Sequence, residues 1–319
     1  MNNWTKKLLK WILLAIATVV VLIILFVAIV YTVNAVASKS EQKNIQHYGQ
    51  TVMVDGKRMN VLIQGTGEQT IVLLPGFGTA SPVLDFKPLI DQLTPNYRIV
   101  VVEPFGYGWS DVTDKPRAVD QITSEIHDAL SQLNINNYVL MGHSIAGIYG
   151  LDYVNKYPHE VTAFAGIDTS VPTQPVEAMD TQTISLLEKS GFYRLLVNMN
   201  PAQIMTPPDV NEETKQQIKM ITLHNMMNAD IQSEAALLPA NFNAVQRLQF
   251  PANLPVIFFL VKNDPEIQNW IPLHEEQIKH STHAKIVPLD GTHYLHYTQS
   301  KAMAEELTDF LSKGHSEHR

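Results

Sequence analysis

"VLMGHSIAGIYG", residues 139–150, is the stretch on which the fold turns. An apolar run reaches Gly142-His143-Ser144, and the spacing then becomes helical. A strand ending at Gly142 and a helix starting just past Ser144 must turn within about one residue. Such a turn holds the serine at positive φ and brings the strand and helix backbones together. The residues two before and two after the serine must therefore be small. Gly142 and Ala146 meet that requirement, and Gly147 eases the packing further. The usual motif, G-x-S-x-G, has glycine where this chain has Ala146, but smallness is the physical condition. The turn presents the Ser144 hydroxyl over the carboxyl ends of the strands, where open α/β sheets bind ligands. It also aims the first backbone N–H groups of the helix at a reacting oxygen. The competing reading is an ordinary serine cap on a helix.

A serine hydroxyl needs a base and a carboxylate to orient that base. "FFLVKNDPE" ends a strand with Asp264 at its carboxyl end, and "VPLDGTHYLH" ends the next with a loop carrying His293. The order Ser, Asp, His is a known arrangement of this triad. Asp264 is the expected acid. Asp168, after "FAGI", also ends a strand and is the alternative, and an Asp before Pro is a common turn former in its own right. His296 is expected to start the last helix. For the oxyanion, the backbone N–H of Ile145 needs a companion. "LLPGFGTAS" supplies a glycine-rich turn, and the N–H of Phe77, between Gly76 and Gly78, is the candidate.

The same alternation extends along the chain. "QTVMVDG" and "KRMNVLIQG" read as a hairpin about Asp55-Gly56. "TIVLLPG" and "YRIVVVEPFG" are short β-branched runs suited to strands covered on both faces. "SPVLDFKPLIDQL" has helical spacing, and "VDQITSEIHDALSQL" places Ile122, Ile126, Leu130 and Leu133 on one stripe. Alternating strands and helices predict an α/β fold with a mostly parallel sheet. The alternation lapses near Ser170 and resumes at "PVIFFLVKND". The expected organisation is an anchor over 1–37, a stalk over 38–48 and a core over 49–170 and 251–313. A helical cap would occupy 171–250, and a flexible tail 314–319.

The 319 residues, 45% of them hydrophobic, suffice for one large core. With 23 basic against 31 acidic residues, no basic stripe suggests a nucleic-acid partner. The absence of cysteine excludes disulfides, thiolate metal sites and cysteine nucleophiles. No metal or cofactor is expected. Residues 11–33, "WILLAIATVVVLIILFVAIVYTV", carry no charge and are long enough to cross a hydrocarbon core of about 30 Å. Lys6, Lys7 and Lys10 precede them, which favours a cytoplasmic N-terminus and an extracytoplasmic remainder. The alternative is a secretory signal cleaved near Ala37, after the small-residue "AVA" at 35–37.

"LLPGFG", "EPFGYGWSD", "GHSIAG", "LVKNDP" and "DGTHYLH", in that order, resemble the α/β-hydrolase superfamily. The resemblance is to its cap-bearing branch of esterases, lipases, haloperoxidase-like enzymes and prolyl aminopeptidases. It runs from Gln50 to about Lys313. It implies that the loop from Glu103 to Asp111 is structural. Pro75 stands where many relatives have histidine, and Glu103 where many have aspartate. A serine at the elbow argues against dehalogenase and epoxide hydrolase chemistry, which uses aspartate there. Ile145 departs from the tryptophan of prolyl aminopeptidases, although Glu177, Glu188 or Glu234 in the cap offers a carboxylate for a substrate amine. The expected activity is hydrolysis of carboxylic esters, acyl lipids included, by a membrane-tethered serine hydrolase. A peptidase or amidase on the same triad and a catalytically silent binding protein are the alternatives. Met199, Met205, Met220, Met226 and Met227 read either as a soft pocket wall for acyl chains or as cap core.

Overall fold

The computed structural model describes residues 2–316 and divides into two compact units. The larger comprises residues 46–181 and 206 onward, the smaller residues up to 45 together with 182–205.

The larger unit is built on eight strands. They are β1 (Gln50–Val54), β2 (Lys57–Gln64), β3 (Thr70–Leu74), β4 (Arg98–Glu103), β5 (Tyr138–His143), β6 (Val161–Ile167), β7 (Val256–Val261) and β8 (Ala284–Leu289). They form one sheet in the order β1-β2-β4-β3-β5-β6-β7-β8. β2 runs antiparallel to both its neighbours, and all pairs from β4 to β8 are parallel. The β1–β2 hairpin turns on Asp55 and Gly56, both at positive φ, as the sequence predicts.

The short β-branched runs are strands because both faces are covered. Alternate residues serve opposite faces. Val72, Leu74, Val100, Val102 and Leu140 pack into one core, and Ile71, Leu73, Ile99, Val101, Val139 and Met141 into the other. Each such side chain, fully withdrawn from water, contributes about 1.5–3 kcal/mol.

Twelve α-helices and one short 3₁₀ helix, Pro201–Gln203, are present among the described residues. The first, α1 (Asn3–Glu41), belongs to the smaller unit. Of those that follow, α2 (Pro82–Asp85) and α3 (Lys87–Leu93) replace the single helix expected over 81–93. The chain breaks between them because Pro88 cannot donate to a carbonyl of the preceding turn. α4 (Val119–Gln132) buries Ile122, Ile126 and Leu130 on the predicted stripe, with Leu133 packed beside them. α5 (Ala146–Lys156) lies on the same face, while α3 covers the other.

Between β6 and β7 the chain forms α6 (Thr181–Ser190), α7 (Phe192–Met199), α8 (Glu212–Asn225) and α9 (Ala229–Val245). The single cap expected over 171–250 is thus divided. α7 and most of α6 join α1 in the smaller unit, whereas α8 and α9 belong to the larger. After β7 come α10 (Trp270–Ile278), α11 (Leu295–Thr298) and α12 (Ser300–Ser316). α12 runs into the expected tail, of which residues 317–319 lie outside the described residues. The expected stalk likewise begins as helix, since α1 continues to Glu41. α1 is long and apolar enough to cross a membrane.

Candidate active site

Ser144 follows the last residue of β5 and has φ of 54°. The turn is tight for the reason anticipated. A Cβ on Gly142 would lie 2.7 Å from the Ala146 Cβ, so residues two before and two after the serine are already in contact. Across residues 139–150 only Ser144 escapes burial. The serine is not a helix cap: α5 starts from Ile145 with no side-chain cap. Its backbone is pinned instead, with Ser144 N–H donating to the Ile167 carbonyl at 3.1 Å. The Ser144 carbonyl accepts from Gly147 at 3.0 Å and Ser170 at 2.8 Å. The Oγ makes no hydrogen bond among the described residues.

The glycine-rich turn after β3 packs against this elbow. A Cβ on Gly76 would lie 2.7 Å from His143 Nδ1 and 3.2 Å from Ser144 Cβ. The backbone N–H groups of Phe77 and Ile145 have no protein acceptor among the described residues. The next amide is occupied: Gly78 N–H donates to the Tyr107 hydroxyl at 3.1 Å. Tyr107 donates in turn to Glu234 Oε2 at 2.8 Å, and Tyr149 of α5 donates to Glu234 Oε1. A buried carboxylate of α9 therefore braces the turn that carries Phe77. Burial pushes Glu234 above the usual carboxylate range and both tyrosines well above the usual phenol value. With both oxygens engaged by phenols, Glu234 is closed to a substrate amine.

His293, on the loop after β8, has its Nδ1 2.7 Å from Asp168 Oδ2. His293 thus meets Asp168, the alternative, and not Asp264, the expected acid. Asp264 Oδ1 accepts the N–H groups of Glu266 at 2.8 Å and Ile267 at 2.6 Å, closing the turn that Asp-Pro sequences favour. Asp168 sits at the end of β6, beside the strand that carries Ser144, in the left-handed region at φ 44°. It is fully buried, and its other oxygen accepts from Val261 N–H at 2.9 Å and Trp270 Nε1 at 2.7 Å. Three donors fix the carboxylate. The His293 Nδ1–H then points at Asp168, which leaves Nε2 as the basic nitrogen.

Behind the histidine loop is a group the sequence did not single out. His143 Nε2–H donates to the His293 backbone carbonyl at 3.0 Å, and the two rings are 4.7 Å apart. Burial, reinforced by His296 and His293, holds the His143 pKa well below the usual imidazole value, so it serves as a neutral donor. His296, expected only to begin a helix, is fully buried in α11 and bonds Asp85 Oδ2 at 2.8 Å; Tyr297 donates to the other oxygen. The ligand atoms of Asp85, His143 and His296 lie within 4.8 Å of one another. Within this trio only His296 and Asp85 are hydrogen-bonded to each other, and Nδ1 of His143 and Nδ1 of His296 are buried without a hydrogen-bond partner among the described residues. A local signal for His143 existed, its place beside the elbow serine; none existed for Asp85, Tyr107 or Tyr149.

Glu103 is structural, as the resemblance implies. It is fully buried and accepts from Asn60 Nδ2 at 2.9 Å, Tyr48 at 2.9 Å and the Trp109 N–H at 2.8 Å.

The eight-stranded sheet with a serine elbow at the end of its central β5 defines a hydrolase-type α/β architecture. The chain has the α/β-hydrolase fold. The family described as the alpha/beta hydrolase fold matches residues 69–202. Over 96% of its length the chain is 28% identical to the uncharacterized protein YbdG of Bacillus subtilis, covering 98% of that protein. It is 30% identical to the Karrikin insensitive 2 receptor IA of Petunia hybrida, over 44% of this chain and 57% of the receptor. The enol-lactonase of Burkholderia xenovorans LB400 superposes with a TM-score of 0.61 at 18% identity, covering 82% of this chain and all of that one.

Proposed function

We propose that the protein is a serine hydrolase that cleaves carboxylic esters through an acyl-enzyme, anchored to a membrane by α1. A fold shared with both a receptor and a lactonase does not by itself decide between binding and catalysis. The observation that carries the reading is the pairing of a fully buried Asp168 with His293, next to a serine held at positive φ.

In this reading His293 Nε2 takes the Ser144 proton as Oγ attacks the ester carbonyl. The negative charge that develops on the carbonyl oxygen is met by the free N–H groups of Phe77 and Ile145. The intermediate collapses, the C–O bond to the alcohol breaks, and the imidazolium returns its proton to the departing alkoxide. Water then enters by the same route, giving up a proton to His293, and the carboxylic acid leaves as Ser144 recovers its hydrogen. Asp168 stays ionised and holds the imidazole in orientation.

Of the three cap carboxylates that could anchor a substrate amine, Glu234 is buried between two tyrosines, which weighs against that role for it. Retention of α1 is supported by the smaller unit, whose buried Arg194 takes its partners from α1. The test is turnover of p-nitrophenyl esters against aminoacyl arylamides by the full chain and by Ser144→Ala. Ester turnover lost in the variant is expected. Faster arylamide turnover, or no turnover of either by the wild type, defeats the proposal.

A further inference from the structure

The smaller unit has a feature that a simple tether does not need. α1 presents one stripe, Phe26, Val30, Asn34, Ser38 and Glu41, spaced three or four apart along one face, and α7 packs on it. The rings of Phe26 and Phe192 are 6.0 Å apart. Gly191, at φ 85°, brings its backbone so close that a Cβ would lie 2.7 Å from the Asn34 Cβ and 2.9 Å from the Val30 carbonyl. The Arg194 side chain is 5% exposed. Its Nε donates to Asn34 Oδ1 at 2.7 Å, Nη1 to both Glu41 oxygens at 2.7 Å, and Nη2 to Ser38 Oγ at 2.9 Å. Every guanidinium nitrogen thus has an acceptor on α1.

The depth of these contacts matters. Phe26 lies seven residues inside the end of the apolar run at Val33, about 10 Å along the helix axis. A hydrocarbon core is about 30 Å thick, and each leaflet half that, so a side chain touching Phe26 lies within the leaflet. Phe192 is then below the boundary. Arg194 is held at it, by residues just past the end of the apolar run. The same segment carries large apolar side chains with nothing covering them: Leu186 is 69% exposed, Met199 76% and Met205 50%, and Leu196 is also exposed.

We propose that residues 182–205 form a foot whose partner is the lipid bilayer, inserted into the leaflet that holds the C-terminal half of α1 and clamped there by Arg194. This rests on the membrane-anchored part of the proposed function. It assigns the exposed methionines of the foot, Met199 and Met205, to contact with acyl chains of the membrane. The free energy of such an interfacial element comes from its buried apolar area. The Arg194–Glu41 pair keeps the adjoining charge neutral. The arrangement suits an enzyme whose substrate is itself a lipid of that leaflet.

The absence of cysteine allows a direct test with single-cysteine variants of the full chain. Met199→Cys, Ile24→Cys on α1 and Glu276→Cys on the larger unit are labelled with an environment-sensitive fluorophore. Each is reconstituted in phosphatidylcholine–phosphatidylglycerol vesicles containing lipids spin-labelled on the acyl chain. Retained reaction with a fluorophosphonate confirms that each labelled variant is folded. The foot predicts quenching at Met199 within about twofold of that at Ile24, and none at Glu276. Adding Arg194→Ala to Met199→Cys should lower the quenching, while the same change leaves Ile24 unaffected. Quenching at Ile24 without quenching at Met199 overturns the foot and leaves the anchor standing. Failure at both positions overturns the anchor and the foot together. Quenching at Met199 that follows protein density rather than spin-labelled lipid assigns the surface to a second copy of the chain and also overturns the proposal.

Discussion

Asp168→Asn is the substitution whose consequence the geometry specifies most fully. The side chain keeps its size, but one oxygen becomes an NH₂ group. The two positions are not equivalent. Oδ1 accepts from the Val261 N–H and Trp270 Nε1, so an NH₂ there would face two donors. The amide must turn its NH₂ to the Oδ2 position, 2.7 Å from His293 Nδ1. There it donates, and His293 has to accept at Nδ1 and carry its proton on Nε2. An imidazole protonated at Nε2 cannot take the serine proton. The comparable exchange in a serine protease, with geometry intact and the tautomer wrong, lowers kcat about 10⁴-fold. That corresponds to ~5.4 kcal/mol of lost transition-state stabilisation. Asp264→Asn should behave differently, because its amide oxygen still accepts from Glu266 and Ile267. Its kcat should stay within about threefold of wild type, as expected for a change away from the reacting groups. Steady-state hydrolysis of a p-nitrophenyl ester by both variants decides the matter. Near-normal turnover in Asp168→Asn with collapse in Asp264→Asn would refute this assignment.

Three further outcomes follow from packing and charge. Gly142→Ala sets a new Cβ 2.7 Å from Ala146 Cβ and should cost about 1–3 kcal/mol in urea unfolding. Adding Ala146→Gly should recover most of that, and no recovery would mean the contact is not the constraint. The Arg117–Glu125 pair is buried on both sides, so Arg117→Leu strands a carboxylate and should cost about 3–5 kcal/mol. The double variant Arg117→Leu/Glu125→Leu should regain much of it, and equal loss in both would contradict the reading. Glu234 has its folded pKa raised by burial, so its contribution is complete below the ordinary value of 4.5 and fades as pH rises through the folded value. Melting temperature compared with Glu234→Gln should show the wild-type advantage shrinking from about pH 4.5 towards neutrality, and a widening gap would show the sign to be wrong.

The elbow was legible in the sequence because its constraint is local: Gly142 and Ala146 touch across four residues, and that contact is written in their size. His293 was legible because it follows a strand run directly. The sequence pattern places Asp264 ahead of Asp168 as the acid, but both follow adjacent parallel strands and spacing alone does not show which of them meets His293. What separates them is long-range: Trp270 Nε1, 102 residues on, fixes the Asp168 carboxylate, whereas Asp264 spends its oxygen on its own turn. The Asp-Pro pair had carried that second meaning. The Tyr107–Glu234–Tyr149 brace and the Asp85–His296 pair join residues 85 to 211 positions apart, with no periodicity to announce them. The division of the helical insertion was equally silent. Gly191 and Arg194 acquire meaning only against the stripe of α1, more than 150 residues earlier.

The most direct test of the central claim is where a fluorophosphonate attaches. The reagent should modify the reconstituted wild type at one site, and peptide mass spectrometry should place the added mass on Ser144. Ser144→Ala should take up none. A wild type that stays unmodified, or a Ser144→Ala variant that still labels, would contradict the account.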